Sequence, residues 1–268
     1  MTLFLGIDFT SRPTRRKPIT VASGHAASGV VKLERLDTHE DFDGLATTLA
    51  QPGPWVGGFD FPFGLPRELV ETLGWPDTWA PSMDRFTGLT RDEVRETFAA
   101  FCDARPAGSK FAHRATDGPA GSSPSMKWVN PPVALMMHAG VPLLRAAGVH
   151  LPGLHPGDPQ RVALEAYPGL LARELIGTRS YKSDERAKQT PERLIARKDL
   201  VEAMEQGRTR LGVRVRMSHA MRDGLVADAS GDRLDAVLCL VFAAWSAGQP
   251  NHGLPADMDP LEGWIVGA

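Results

Sequence analysis

Apolar positions along the chain fall into two periods, and the switches between them mark out elements. From Leu3 to Phe9 apolar residues dominate, with Asp8 near the end, before Thr10-Ser11-Arg12-Pro13 breaks the run; this predicts a buried strand. Beyond a basic tip, Arg15-Arg16-Lys17, the runs Pro18 to Ala22 and Gly29 to Leu36 predict strands two and three of an antiparallel meander. Helical spacing follows at Phe42, Leu45, Ala46 and Leu49, and Pro52-Gly53-Pro54 stops it. Trp55 to Phe61 predicts another buried strand that delivers Asp60 into Pro62-Phe63-Gly64-Leu65-Pro66, with a helix from Arg67 to Leu73 beyond.

From about residue 75 to 160 the chain is rich in Pro, Gly and Ser, interrupted by helical stretches over Thr90 to Cys102 and Pro132 to Ala139. That composition predicts an insertion or cap within one domain spanning residues 1–268. Periodicity resumes with a strand from Val162 to Ala166 that ends at Glu165 before Tyr167-Pro168-Gly169, then a helix carrying Leu170, Leu171, Leu175 and Ile176. Thr190 and Pro191 predict the N-cap and first turn of another helix, and Asp232 to Ala247 predicts the last. Strands alternating with helices give an α/β fold around one sheet.

Composition then limits the chemistry. A chain of 268 residues can bury a large core without disulfides. Its only cysteines, Cys102 and Cys239, have no CxxC or His/Cys ligand spacing, which excludes a structural zinc motif and fits a reducing cytoplasm. No basic leader opens the sequence, and no apolar stretch approaches the ~18 residues of a membrane span; the expectation is a cytoplasmic protein with no membrane association and no obligate protein partner. A net charge of −2 argues against a protein that coats nucleic acid through a general positive field, while leaving room for a local basic groove.

Three acids occupy one kind of position. Asp8, Asp60 and Glu165 each stand at the C-terminal end of an apolar strand, just before turn residues, and strand ends of an open α/β sheet share one ligand-binding edge. Asp232 and Asp235, three apart, lie on one face of the first turn of the last helix. Any one of these acids alone reads as a turn former or helix cap. Together they would repel one another strongly unless cations sat among them, and all-oxygen ligands suit Mg2+ or Mn2+.

The segments Gly6-Ile7-Asp8, Phe59-Asp60-Phe61-Pro62-Phe63-Gly64-Leu65-Pro66, Glu165-Ala166-Tyr167-Pro168 and Gly231-Asp232-Arg233-Leu234-Asp235-Ala236 resemble, in this order, a family of predicted RNase H-like nucleases. That family is catalogued as domain of unknown function number four-two-nine. The resemblance covers roughly Met1 to Gly74 and Val162 to Gly248. It implies an RNase H-like five-stranded mixed sheet flanked by helices, with the first strand central. It also implies that Asp8, Asp60, Glu165 and one or both of Asp232 and Asp235 are catalytic metal ligands.

Two ions ~3.5–4 Å apart would then hydrolyse a phosphodiester, with Asp8 bridging them and a nucleic acid or nucleotide as substrate. Arg12, Lys110, Arg114, Lys127 and Lys182 are the candidate phosphate contacts, with Phe111 and Trp128 placed to stack a base and His113 as a loop histidine. Two rivals stand beside this reading. Gly6-Ile7-Asp8-Phe9-Thr10-Ser11 also looks like the phosphate-binding start of sugar-kinase and actin-like phosphotransferases, although no second phosphate loop follows. The other rival is a binding module that keeps an RNase H-like fold without catalysis.

Overall fold

Strand pairing follows from the period-two segments. In the computed structural model, which describes residues 1–268, β1 (Leu3–Asp8) pairs antiparallel with β2 (Ile19–Ala27), and β2 with β3 (Val30–His39). This is the meander that the sequence predicts. On its other side β1 pairs parallel with β4 (Trp55–Phe59), which pairs parallel with β6 (Asp158–Glu165). Two short strands extend the edges, β5 (Val149–His150) beside β6 and β7 (Arg214–Arg216) beside β3. The mixed sheet therefore has seven strands in the order β5-β6-β4-β1-β2-β3-β7, where five were expected. Strands of two and three residues are too short to show a period.

Ten α-helices flank the sheet: α1 (Phe42–Leu49), α2 (Arg67–Thr72), α3 (Trp79–Thr87), α4 (Arg91–Asp103), α5 (Asp117–Ala120), α6 (Val133–Ala146), α7 (Pro168–Ile176), α8 (Pro191–Gln206), α9 (His219–Ala227) and α10 (Asp232–Ser246). Local chemistry sets several starts. Asp41 accepts a hydrogen bond from the Gly44 amide at 2.9 Å, and Thr90 and Glu93 form a reciprocal capping box on α4. Thr190 holds the N-cap position of α8, but its side chain does not cap the helix. No helix is long and apolar enough to cross a membrane.

Strand alternation divides the core into two layers. Leu5, Ile7, Trp55 and Phe59 face a layer built from α1, α3, α4 and α6, through Leu45, Leu49, Met83, Phe86, Phe98 and Met137. Segment 75–160, expected as an insertion or cap, thus shares its hydrophobic cluster with the sheet and supplies most of one helical layer. Phe4, Val56, Val162 and Leu164 face the opposite layer of α7, α8, α9 and α10.

Helix α10 lies closest to the sheet. A Cβ on Gly6 would stand 2.0 Å from the Ala236 carbonyl oxygen, and one on Gly58 2.4 Å from that of Cys239. Glycines facing each other across β1 and β4 thus let the helix backbone rest directly on the strands. Leu234, Val237, Leu238, Leu240, Val241 and Phe242 are fully buried around that contact, each worth about 1.5–3 kcal/mol of transfer free energy.

Candidate metal centre

The parity of each strand decides which acids meet. Phe4 and Gly6 face α10, so Asp8, two residues further, faces it too. Register pairs Gly6 with Gly58 and Ile7 with Phe59, which brings Asp60 alongside Asp8, with the Asp60 amide donating to the Ile7 carbonyl at 2.9 Å. From above, the first turn of α10 contributes Asp235. Carboxylate oxygens of Asp8, Asp60 and Asp235 all lie within 4.8 Å of one another.

Asp235 is fully buried and Asp8 is 8% exposed, yet no hydrogen-bond donor reaches the Asp8 carboxylate. Burial, and then the neighbouring Asp235 and Asp232, hold the Asp8 carboxyl well above the usual range. Asp60 keeps partial solvent access at the rim; desolvation of its carboxyl and the charge of Asp235 push it up to about 7. Asp235 is better served: it accepts hydrogen bonds from the Tyr181 hydroxyl and the Lys182 ammonium. Burial would lower the Lys182 ammonium, but Asp235, Tyr181, Asp60 and Asp8 together raise it well above its ordinary value.

The other two acids of the expected set stand outside this group. Glu165 pairs in register with Phe59 and so faces the opposite layer from Asp8 and Asp60. There Arg114 donates to both its oxygens, at 2.6 and 2.7 Å, and the Phe63 amide donates at 2.9 Å. Asp232, close enough for its charge to raise the Asp8 carboxyl, lies outside the group of three and forms an ion pair with Lys17 at 2.6 Å. Three carboxylates, not five, are therefore gathered.

Among the expected phosphate contacts, Arg114 is excluded by its burial. It is 2% exposed and fully engaged by Glu165, Asp117 and the Glu262 carbonyl; burial works against its charge, but the two carboxylates raise its pKa. Lys182 serves Asp235. Lys110 is exposed and pairs with Asp103 at 3.5 Å. Lys127 stays partly exposed next to Trp128, whose ring centroid is 5.6 Å from that of Phe111, and His113 is exposed. Arg12 is exposed on the loop after β1. Beside it Arg91, which the sequence reading missed, donates to the carbonyl and hydroxyl oxygens of Ser11 at 3.1 and 3.2 Å. Burial and then the charges of Arg12 and Arg95 lower the Arg91 guanidinium, placing three arginines around one loop.

A shallow cleft opens beside Asp60, walled by Phe61, Pro62, Ser122, Val133 and Tyr167, with Glu165 and Arg114 at its base. Tyr167 belongs to this wall, and its hydroxyl accepts from Arg173 at 3.2 Å. Tyr181 and Lys17 were also missed as partners of the acids. Their signal in the sequence is only that each sits in a short polar segment between elements, which many solvated residues share.

Compared with protein-family models, with curated proteins and with solved structures, the chain matches none.

Proposed function

We propose that this protein is a divalent-metal-dependent phosphodiester hydrolase, a nuclease, built on an RNase H-like core. The carrying observation is that Asp8, Asp60 and Asp235, delivered by three separate elements, bring their carboxylate oxygens within 4.8 Å of one another. The order β3-β2-β1-β4-β6, with β1 central and only β2 antiparallel to its neighbours, supports the RNase H-like reading and leaves β5 and β7 as edge additions.

The donor set fits the metal. All three groups are hard oxygen ligands with no His or Cys among them, as Mg2+ and Mn2+ prefer. The Asp8 carboxylate, which accepts no hydrogen bond from the protein and whose oxygens reach solvent, is open to such an ion. When bound, the ion supplies Lewis-acid stabilisation of the phosphoryl charge and a more acidic water. Asp8 and Asp60 fix the ligand geometry from two paired strands, which limits reorganisation during the reaction. Arg12 and Arg91, flanking the loop after β1, are placed to hold a phosphate arriving at that edge. The chain's near-neutral charge favours a short or single-stranded substrate over a long duplex.

The test is hydrolysis of single-stranded DNA and RNA oligonucleotides and of a bis-aryl phosphodiester, with Mn2+, Mg2+ or EDTA. Metal-dependent cleavage that Asp8→Asn reduces at least about 10³-fold is expected. Cleavage that survives both EDTA and Asp8→Asn, or no cleavage of any of these substrates with either metal, would remove the proposal.

A further inference from the structure

The sheet sets an order along the edge that carries the acids. The loop joining β1 to β2 comes first, then Asp8 at the end of β1, Asp60 after β4 and Tyr167 after β6, with neighbouring strands ~4.8 Å apart. A polyanion crossing this edge meets carboxylates in the middle, so holding it requires cations on both flanks.

Arginines stand on both flanks, each seated on neutral groups. On the β1 side, Arg91 donates to the carbonyl and hydroxyl oxygens of Ser11, while its buried Nε has no acceptor, and the exposed Arg12 follows Ser11. On the β6 side, the exposed Arg173 donates to the Gly121 carbonyl at 2.9 Å and to the Tyr167 hydroxyl at 3.2 Å. Its guanidinium carbon also lies 5.9 Å from the centroid of the Tyr167 ring. Gly121, at φ +60°, makes this seat possible, because a Cβ there would stand 1.8 Å from the Arg173 Nη1. Tyr167 and Asp60 line the same cleft, which sets Arg173 beyond Asp60 as Ser11 sets Arg91 beyond Asp8.

The acids nearest these arginines have other partners. Asp92 pairs with Arg95, Glu93 closes the capping box of α4, and Glu174 accepts from the Arg210 amide at 2.8 Å. Both Arg173 bonds use Nη2, and the guanidinium has further N–H donors at Nη1 and Nε. A guanidinium seated on neutral acceptors keeps its full charge for a phosphate, and its planar fork matches two phosphate oxygens.

We infer that Arg12 with Arg91, and Arg173 opposite them, hold the phosphates on either side of the scissile one, so that the substrate is a nucleic-acid single strand cut at an internal phosphodiester. This rests on the metal-dependent hydrolase reading above and adds the course of the strand across it.

Two measurements on the whole chain test it. In the first, fluorescence anisotropy follows a dye-labelled DNA strand of about twelve nucleotides binding to Asp8→Asn protein in EDTA over a salt series. Arg173→Ala or Arg91→Ala, added to that background, should each weaken binding about fivefold or more and flatten the log–log salt dependence by about 0.7, as loss of one phosphate contact does. Arg173→Lys should keep the slope, as should Arg214→Ala on β7 at the far edge of the sheet. No measurable binding, an unchanged slope in either central alanine variant, or equal flattening in Arg214→Ala overturns the inference. In the second, wild type with Mn2+ should open closed circles of single-stranded DNA or RNA, which offer no terminus. Circles left intact while linear strands are shortened overturn the inference and leave the hydrolase reading standing. Circles and linear strands both left intact sink that reading as well. If Arg173→Ala does not fold, Arg173→Gln and the circles still decide.

Discussion

Asp8 carries a conflict between stability and chemistry. Its carboxylate lies against Asp235 and Asp60 and accepts no hydrogen bond from the protein, an arrangement that costs stability when the group is charged and no cation is bound. Asp8→Asn keeps the shape and removes the charge. In EDTA it should raise Tm by about 2–4 °C, equivalent to about 1 kcal/mol, while abolishing both Mn2+ binding and hydrolysis. Thermal melts with and without Mn2+ read both effects. Asp60 makes the pH dependence testable. Its carboxyl, raised to about 7, binds a proton more tightly folded than unfolded, so its contribution to stability is full below pH ~4 and lost as pH rises through about 7. In EDTA, the Tm of wild type relative to Asp60→Asn should therefore fall between about pH 4 and 7 and stay level above that. Because that proton must leave for a cation to bind, Mn2+ affinity should rise over the same interval and level off above it.

At the scale of elements, the centre depends on how closely α10 approaches the sheet. Gly6 and Gly58 set this distance, and the helix backbone leaves no room for a methyl group at either. Gly58→Ala should push α10 away from β4, cost about 1–3 kcal/mol or more, and weaken Mn2+ binding because Asp235 moves with the helix. Denaturant melts and Mn2+ titration of the same sample check both parts; tight Mn2+ binding in a destabilised variant would separate helix position from ligand geometry. Strand parity gives a second comparison. Glu165 sits on the face opposite Asp8, so Glu165→Gln should leave Mn2+ affinity nearly unchanged while lowering stability. A loss of Mn2+ binding as large as that of Asp8→Asn would place Glu165 among the ligands.

Across the whole molecule, one buried arginine ties segment 75–160 to the core. Arg114 bridges Asp117 beside it and Glu165 at the end of β6, and the neighbouring Ala115 amide donates to Glu262 at 2.8 Å. Removing the arginine leaves two buried carboxylates without their cation, so Arg114→Ala should destabilise by about 3–5 kcal/mol. Urea unfolding should remain a single transition, because the segment shares its hydrophobic cluster with the sheet. A separate early transition would show that the segment unfolds on its own.

The chain order of elements was legible because β1, β4, β6 and α10 are long enough to show their period, and the acids stand where those periods end. Asp8, Asp60 and Asp235 could be named from that alone. Helices α3, α5 and α9 and strands β5 and β7 were not read, being short or set in mixed composition. Which acids share a face needed the register between β4 and β6, since a one-residue difference sends a side chain to the other side of the sheet. The pairings of Glu165 with Arg114, Asp232 with Lys17 and Asp235 with Lys182 join residues 51, 215 and 53 positions apart. Local pattern carries no information about contacts at such separations; packing alone decided which carboxylates gained a cationic side chain as partner and which did not.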